Sequence, residues 1–300
     1  FDLGGNYSNS PIPWMIRYNT NSGEVSISTL RKDGQVGCET KRSTWSNGWT
    51  SFAGYYTGGD PHLLLQKETP GTVKIHPLEW DAELDSATKD DDWSNGWSNF
   101  HTWEHSGDAY LFHYKSGASS SGLMRVSELT TGGNTDCCSE DEYWATGWNT
   151  HVLTMSNGDD FLLRHHNGTQ QVRIASLGAG TIGSDVYNHS WSSPYTHFAS
   201  VTVQGTTSLI RLDTAGTIDV LPIQASGVPA AVSDSLTTVL SDWDKLLAYS
   251  IDGEGYVHLY RSSDGFFSMY QVDSAGLISG PVETGFEELG WSGMHSFSTS

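Results

Sequence analysis

The chain has 300 residues and a formal net charge of -20, from 15 Lys and Arg against 35 Asp and Glu. Such a balance repels a nucleic-acid backbone, and no apolar run approaches the ~18 residues of a membrane helix, so neither nucleic acid nor membrane insertion is expected. With 12 Trp, 13 Tyr and 10 Phe the chain is too rich in large apolar groups for a solvated coil, and its 33 Gly point to short strands joined by turns.

The first predicted element is Trp14-Met-Ile-Arg17, followed by a turn at Gly23 and the alternating apolar set Val25/Ile27/Leu30. The same pair returns along the chain. Its first member recurs as Leu63–Lys67, Tyr110–Lys115, Phe161–Arg164, Ser208–Arg211 and Tyr256–Arg261. Its second recurs as Val73/Ile75/Leu78, Met124/Val126/Leu129, Val172/Ile174/Leu177, Ile218/Val220/Ile223 and Phe267/Met269/Val272. Alternation with a period of two over short segments means strand, and Gly71, Gly122, Gly216 and Gly265 at the turns suit hairpins that need positive φ.

Ahead of each pair stands a tryptophan: Trp45, Trp93, Trp144, Trp191, Trp243 and Trp291, separated by 48, 51, 47, 52 and 48 residues. The fullest copies read Trp45-Ser-Asn-Gly-Trp49 and Trp93-Ser-Asn-Gly-Trp97. Trp144-Ala-Thr-Gly-Trp148 and Trp191-Ser-Ser-Pro-Tyr195 follow, while Leu247 and His295 are read at the second aromatic place in the last two copies. A Trp-led strand, a hairpin pair and a strand in the variable Gly/Asp/Thr-rich tail make a four-stranded unit of propeller-blade length. The segment after Trp291 lacks its hairpin, and residues 1–44 lack a leading Trp strand. The expectation is a single all-β domain over residues 1–300, a six-bladed β-propeller whose C-terminal strand completes the N-terminal blade.

This Trp-x-x-Gly-Trp pattern with its apolar strand and Gly-x-Val-x-Ile strand, repeated six times, resembles the tectonin-type and fungal six-bladed propeller lectins. The resemblance implies a ring with a glycan-binding role.

The residues themselves offer candidates. Trp49, Trp97, Trp148 and Tyr195 present flat rings able to take the C–H face of a pyranose, with Asn47 and Asn95 as adjacent amides. Lys67, Lys115, Arg125 and Arg173 recur at matched places and suit hydroxyl pairs or a carboxylate. Packing between blades and salt bridges to the many acids are the alternatives. The main expectation is a glycan-binding protein with several similar sites used multivalently, with binding rather than catalysis as its work. The alternative is a polysaccharide-active enzyme, a lyase or glycoside hydrolase, with one site on a propeller face, where His101, Glu104 and His105 could serve acid–base chemistry. A third reading is a protein-interaction scaffold. Acids before the tryptophans (Asp90–Asp92, Glu140–Glu142) form no calcium-loop spacing, so neither metal nor cofactor is expected.

A start at Phe1 and the triplets Asn6-Tyr-Ser8, Asn167-Gly-Thr169 and Asn188-His-Ser190 favour a secreted, extracellular glycoprotein. Only Cys38, Cys137 and Cys138 are present. Equivalent points two blades apart lie too far apart for a bridge, so Cys38 is expected unpaired, with an adjacent Cys137–Cys138 bridge left open.

Overall fold

A computed structural model describes residues 12–299 except 80–83, 117–120, 131, 133 and 134. Among the described residues there are 24 strands and no helix. The first blade holds β1 (Ile12–Tyr18), β2 (Glu24–Leu30) and β3 (Val36–Thr44). The second runs β4 (Ser51–Thr57), β5 (Asp60–Gln66), β6 (Thr72–Pro77) and β7 (Lys89–Asp92). The third runs β8 (Trp97–His105), β9 (Asp108–Lys115), β10 (Ser121–Leu129) and β11 (Thr135–Ala145). The fourth has β12 (Trp148–Thr154), β13 (Asp160–His166), β14 (Gln171–Leu177) and β15 (Ile182–Ser190). The fifth has β16 (Tyr195–Val203), β17 (Thr206–Asp213), β18 (Thr217–Pro222) and β19 (Asp234–Thr237). The sixth has β20 (Lys245–Ile251), β21 (Glu254–Tyr260), β22 (Phe266–Val272) and β23 (Ile278–Phe286). The last strand, β24 (Gly293–Thr299), crosses the seam and pairs antiparallel with β1.

Each sheet is thus a four-stranded meander, and the first is ordered β24-β1-β2-β3. The strands β4, β8, β12, β16, β20 and β24 touch one another in a closed cycle and line the central channel. This is the six-bladed propeller expected from the repeat. Its core lies between blades: Ile16, Tyr18, Val25 and Ile27 of the first blade pack with Trp49, Leu63 and Leu65 of the second. Such alternating apolar faces can be buried only against the next copy, which is why the sequence repeats as a ring.

The register of the tryptophans differs from the expected one. Tyr18 Oη donates to the carbonyl of Ser46 (2.9 Å) and accepts from the amide of Trp49 (3.3 Å). Tyr260 Oη does the same with Glu288 (2.8 Å) and Trp291 (3.3 Å). Trp291 is therefore the counterpart of Trp49, not of Trp45. Trp243 is another, since the next amide, Asp244 N, bonds Tyr260 O as Thr50 N bonds Gln66 O. The first place is held by Trp45, Trp93, Trp191, Thr238 and Glu287, whose amides bond the carbonyls of Gly23, Gly71, Gln170, Gly216 and Gly265. The invariant aromatic is the second one, and the first varies. Leu247 and His295 lie instead within the inner strands β20 and β24. Gln170 stands at a turn that its counterparts fill with Gly, and it keeps their positive φ, at 57°.

Candidate functional site

The expected stacking rings are buried. Trp49, Trp97, Trp148 and Tyr195 are 2, 1, 7 and 5% exposed and belong to the inter-blade core. The cations lie over them: Lys67 Nζ is 4.7 Å from the Trp49 ring, and the guanidinium carbons of Arg125 and Arg173 are 5.5 and 5.8 Å from Trp97 and Trp148. Arg125 is tied to Asp141 at 2.9 Å and Arg173 to Asp185 at 3.5 Å. The Lys115 stem covers Gly96, as that of Lys67 covers Gly48. Asn47 donates to Asn21 O at 2.7 Å, so its amide braces a turn, and Asn95 is exposed on the equivalent turn. Trp97 and Arg125 meet in a cavity of about 260 Å³ with Trp93, Ser94 and His113, while Trp49 lines one of about 290 Å³ with Trp45 and Lys74. The remaining predicted residues stay apart around the ring. Replacing Trp97 by Ala should cost ~3–5 kcal/mol in chemical denaturation, as for other buried large aromatics.

Of the histidines, His101, His151 and His295 line the channel. Each is bonded to the next inner strand: His101 Nε2 to Thr150 Oγ1 (3.0 Å), His151 Nε2 to Ser200 Oγ (3.3 Å), and His295 Nε2 from the amide of Gly54 (3.2 Å). Among the described residues no group of three or more His, Cys, Asp or Glu is placed to hold a metal ion. Cys38 is an exposed free thiol, as expected. The side chains of Cys137 and Cys138, and Asn6, lie outside the described residues.

A different cavity, of about 370 Å³, opens where β4, β8 and β12 end on one face of the ring. It is walled by Tyr55, Tyr56 and Trp103 and holds two carboxyl groups, Glu104 and Asp160. Glu104 is exposed, and its Oε1 accepts from the amide of Tyr56 in the neighbouring blade at 3.2 Å. Trp103 is fixed by donating to Gly178 O at 3.0 Å and by stacking on Tyr110. Asp160 is only 5% exposed, and its Oδ1 has no hydrogen-bond partner. Burial pushes its carboxyl up to about 6; Glu104 and Asp159 add to the effect, while Thr154 and His105 oppose it.

The repeat shows how unusual Asp160 is. In the strand ladders Thr154 faces Asp160 as Tyr56 faces Pro61, Glu104 faces Ala109, Thr202 faces Thr207 and Ser250 faces Gly255. Small or apolar residues fill this packing place elsewhere. A buried acid there adds a desolvation cost, and no structural partner for Oδ1 compensates it. The turn that delivers it is also different. Its counterparts Gly58-Gly59, Ser106-Gly107, Gln204-Gly205 and Asp252-Gly253 are two-residue turns with positive φ at both places. The β12–β13 connection instead runs from Met155 to Asp159. Sequence reasoning found Glu104 and His105 but missed Asp160; the lengthened turn was the available signal.

No protein-family model matches the chain, and no curated protein matches it. Solved structures do. The periplasmic gluconolactonase PpgL of Pseudomonas aeruginosa superposes with a TM-score of 0.64 at 12% identity, covering 97% of this chain and 100% of that one. A candidate 6-phosphogluconolactonase of Bacteroides fragilis gives 0.64 at 9%, covering 98 and 99%. The GH43_1 enzyme of Xanthomonas citri, solved with xylose, gives 0.50 at 10%, covering 77 and 90%. At such identities the likeness shows the propeller fold. The expectation of a multivalent lectin is corrected: the similar propellers are named as enzymes, and the rings meant to stack on sugars are packed between blades.

Proposed function

We propose that the protein is a hydrolase acting on a sugar-derived substrate, with one site at the Glu104–Asp160 cavity. The observation that carries this reading is a buried carboxyl with one oxygen unpartnered at a packing position of the repeat, sharing an aromatic-walled cavity with an exposed carboxylate. Two carboxyl groups held in different surroundings are what glycosidic-bond cleavage requires. Asp160, still protonated near pH 6, gives its proton to the leaving oxygen. Glu104 receives a proton from the water that attacks the anomeric carbon. Tyr56, half-buried at the cavity, supplies an apolar surface suited to a sugar ring. The gluconolactonase and xylose-bound neighbours support a sugar-related substrate. Exposed triplets at Asn167 and Asn188, and the periplasmic neighbour, support a location outside the cytoplasm.

The test is hydrolysis of nitrophenyl glycosides, xylo-oligosaccharides and aldonolactones by the intact chain. Asp160→Asn should lower kcat/KM by ~10²–10⁴ on glycosides, as loss of a general acid does. The activity of the unaltered chain should decline above about pH 6, where Asp160 loses its proton. A panel without turnover, or an unaffected Asp160→Asn variant, would remove this reading.

A further inference from the structure

We infer that this site takes only uncharged sugars and turns away phosphorylated and uronic-acid substrates; the inference rests on the hydrolase reading. The residues lining the cavity include two acids and no Lys or Arg. The rest of this face repeats that sign. The exposed acids Asp60, Asp108, Asp159 and Asp252 lie in the inner turns or at the starts of the strands that follow them. Its Arg31 and Lys32, on the β2–β3 turn, are committed: Arg31 is 2.8 Å from Asp33, and Lys32 is 2.7 Å from Asp252. Other cations are used elsewhere, as Arg125, Arg173, Arg211 and Arg261 are paired with Asp141, Asp185, Asp219 and Asp242.

Anionic sugars need compensating donors. Phosphate and carboxylate groups are recognised by Arg forks, Lys or clustered backbone amides, because stripping their water is otherwise too costly. Here such a group would meet Glu104 and a net charge of -20 instead. A neutral pyranose or furanose needs only hydroxyl partners and an apolar wall, which Thr102, Thr154 and Tyr56 can offer. The structure thus separates this chain from any enzyme whose substrate carries a 6-phosphate.

Matched pairs test this. Nitrophenyl xyloside and glucoside are compared with nitrophenyl glucuronide and glucoside 6-phosphate at pH 5.5, in 10 mM and 500 mM salt. Saturation-transfer NMR with methyl glucoside and methyl glucuronide gives binding without catalysis. The expected result is at least 100-fold lower kcat/KM for the anionic member, a gap that narrows with salt, and an NMR signal from the neutral methyl glycoside alone. Equal or better use or binding of the anionic member overturns the inference while leaving the hydrolase reading intact. Absence of turnover throughout counts against the hydrolase reading, and the NMR comparison then decides the charge preference by itself.

Discussion

Deleting residues 293–299 is expected to abolish folding altogether, rather than to destabilise one blade. That segment is β24, and all seven of its residues are registered against β1, from Gly293↔Tyr18 to Ile12↔Thr299. It also stands between β20 and β4 in the inner cycle, so its loss opens the ring at one point. Trp14, Met15, Ile16 and Tyr18, all buried, would lose a covering strand, and β1 would become an exposed apolar edge prone to pairing with other chains. Ser292 adds a latch beside it, donating through its amide to Tyr18 O at 2.8 Å. Circular dichroism and thermal melts of the truncated chain should show no cooperative transition. A circular permutant opened between Gly58 and Gly59, with the old termini joined, should melt close to the unaltered chain. If the truncated chain still melts cooperatively, closure by β24 is not what holds the ring.

How much of this was legible depended on which residues the ring constrains. Closure was readable because Trp14–Arg17 lacks an inner strand and Trp291 onward lacks a hairpin. The blade count followed from apolar alternation, which burial enforces in every copy. The Trp register was misread because Thr238 and Glu287 occupy the first place, leaving Trp243 and Trp291 to imitate it. The physical reason is clear from exposure. The second aromatic is walled in by two blades and must stay a ring, whereas the first is half-buried where it is Trp, and Glu287 takes that place with its carboxylate paired to Arg17. The candidate site was harder. Glu104 stood out in an unusual run, but Asp160 is one acid among 35 Asp and Glu. Only the ladders, which set it against Pro61, Ala109, Thr207 and Gly255, reveal it as an acid in a packing position. Functional departures from a repeat become visible once the repeat is aligned in space.

Acid should weaken the fold sharply between pH 7 and pH 4.5. Burial lowers seven histidines below their ordinary value: His101 and His295 to about 4, His113 and His151 to about 3, with His165, His197 and His258 lowered as well. For His113 the Arg125 charge adds to burial. In the unfolded chain each takes a proton near pH 6.5. The unfolded state therefore binds more protons, and stability present above pH 6.5 is lost as pH falls towards the folded values. Asp219 and Glu39, lowered by their partners despite the cost of burial, lose stability in the same direction but at lower pH. Asp160 acts oppositely, since its raised value favours the folded state as it gains a proton below about pH 6. Glu140 and Glu283, raised by burial as well, act in the same sense as Asp160, so three carboxyls stand against seven imidazoles. The seven imidazoles act together, so the net loss grows as pH falls towards 4.5. Guanidinium titrations at pH 7.5 and 4.5 measure it, and replacing His101, His151 and His295 together by Gln should flatten the dependence. A midpoint unchanged between the two pH values would mean these rings are hydrated in solution. The two titrations also confine the working range, because the proposed acid needs pH below about 6 while the inner strands need their histidines neutral. Activity should therefore fall above about pH 6 as Asp160 loses its proton, and fall again at lower pH as the fold weakens.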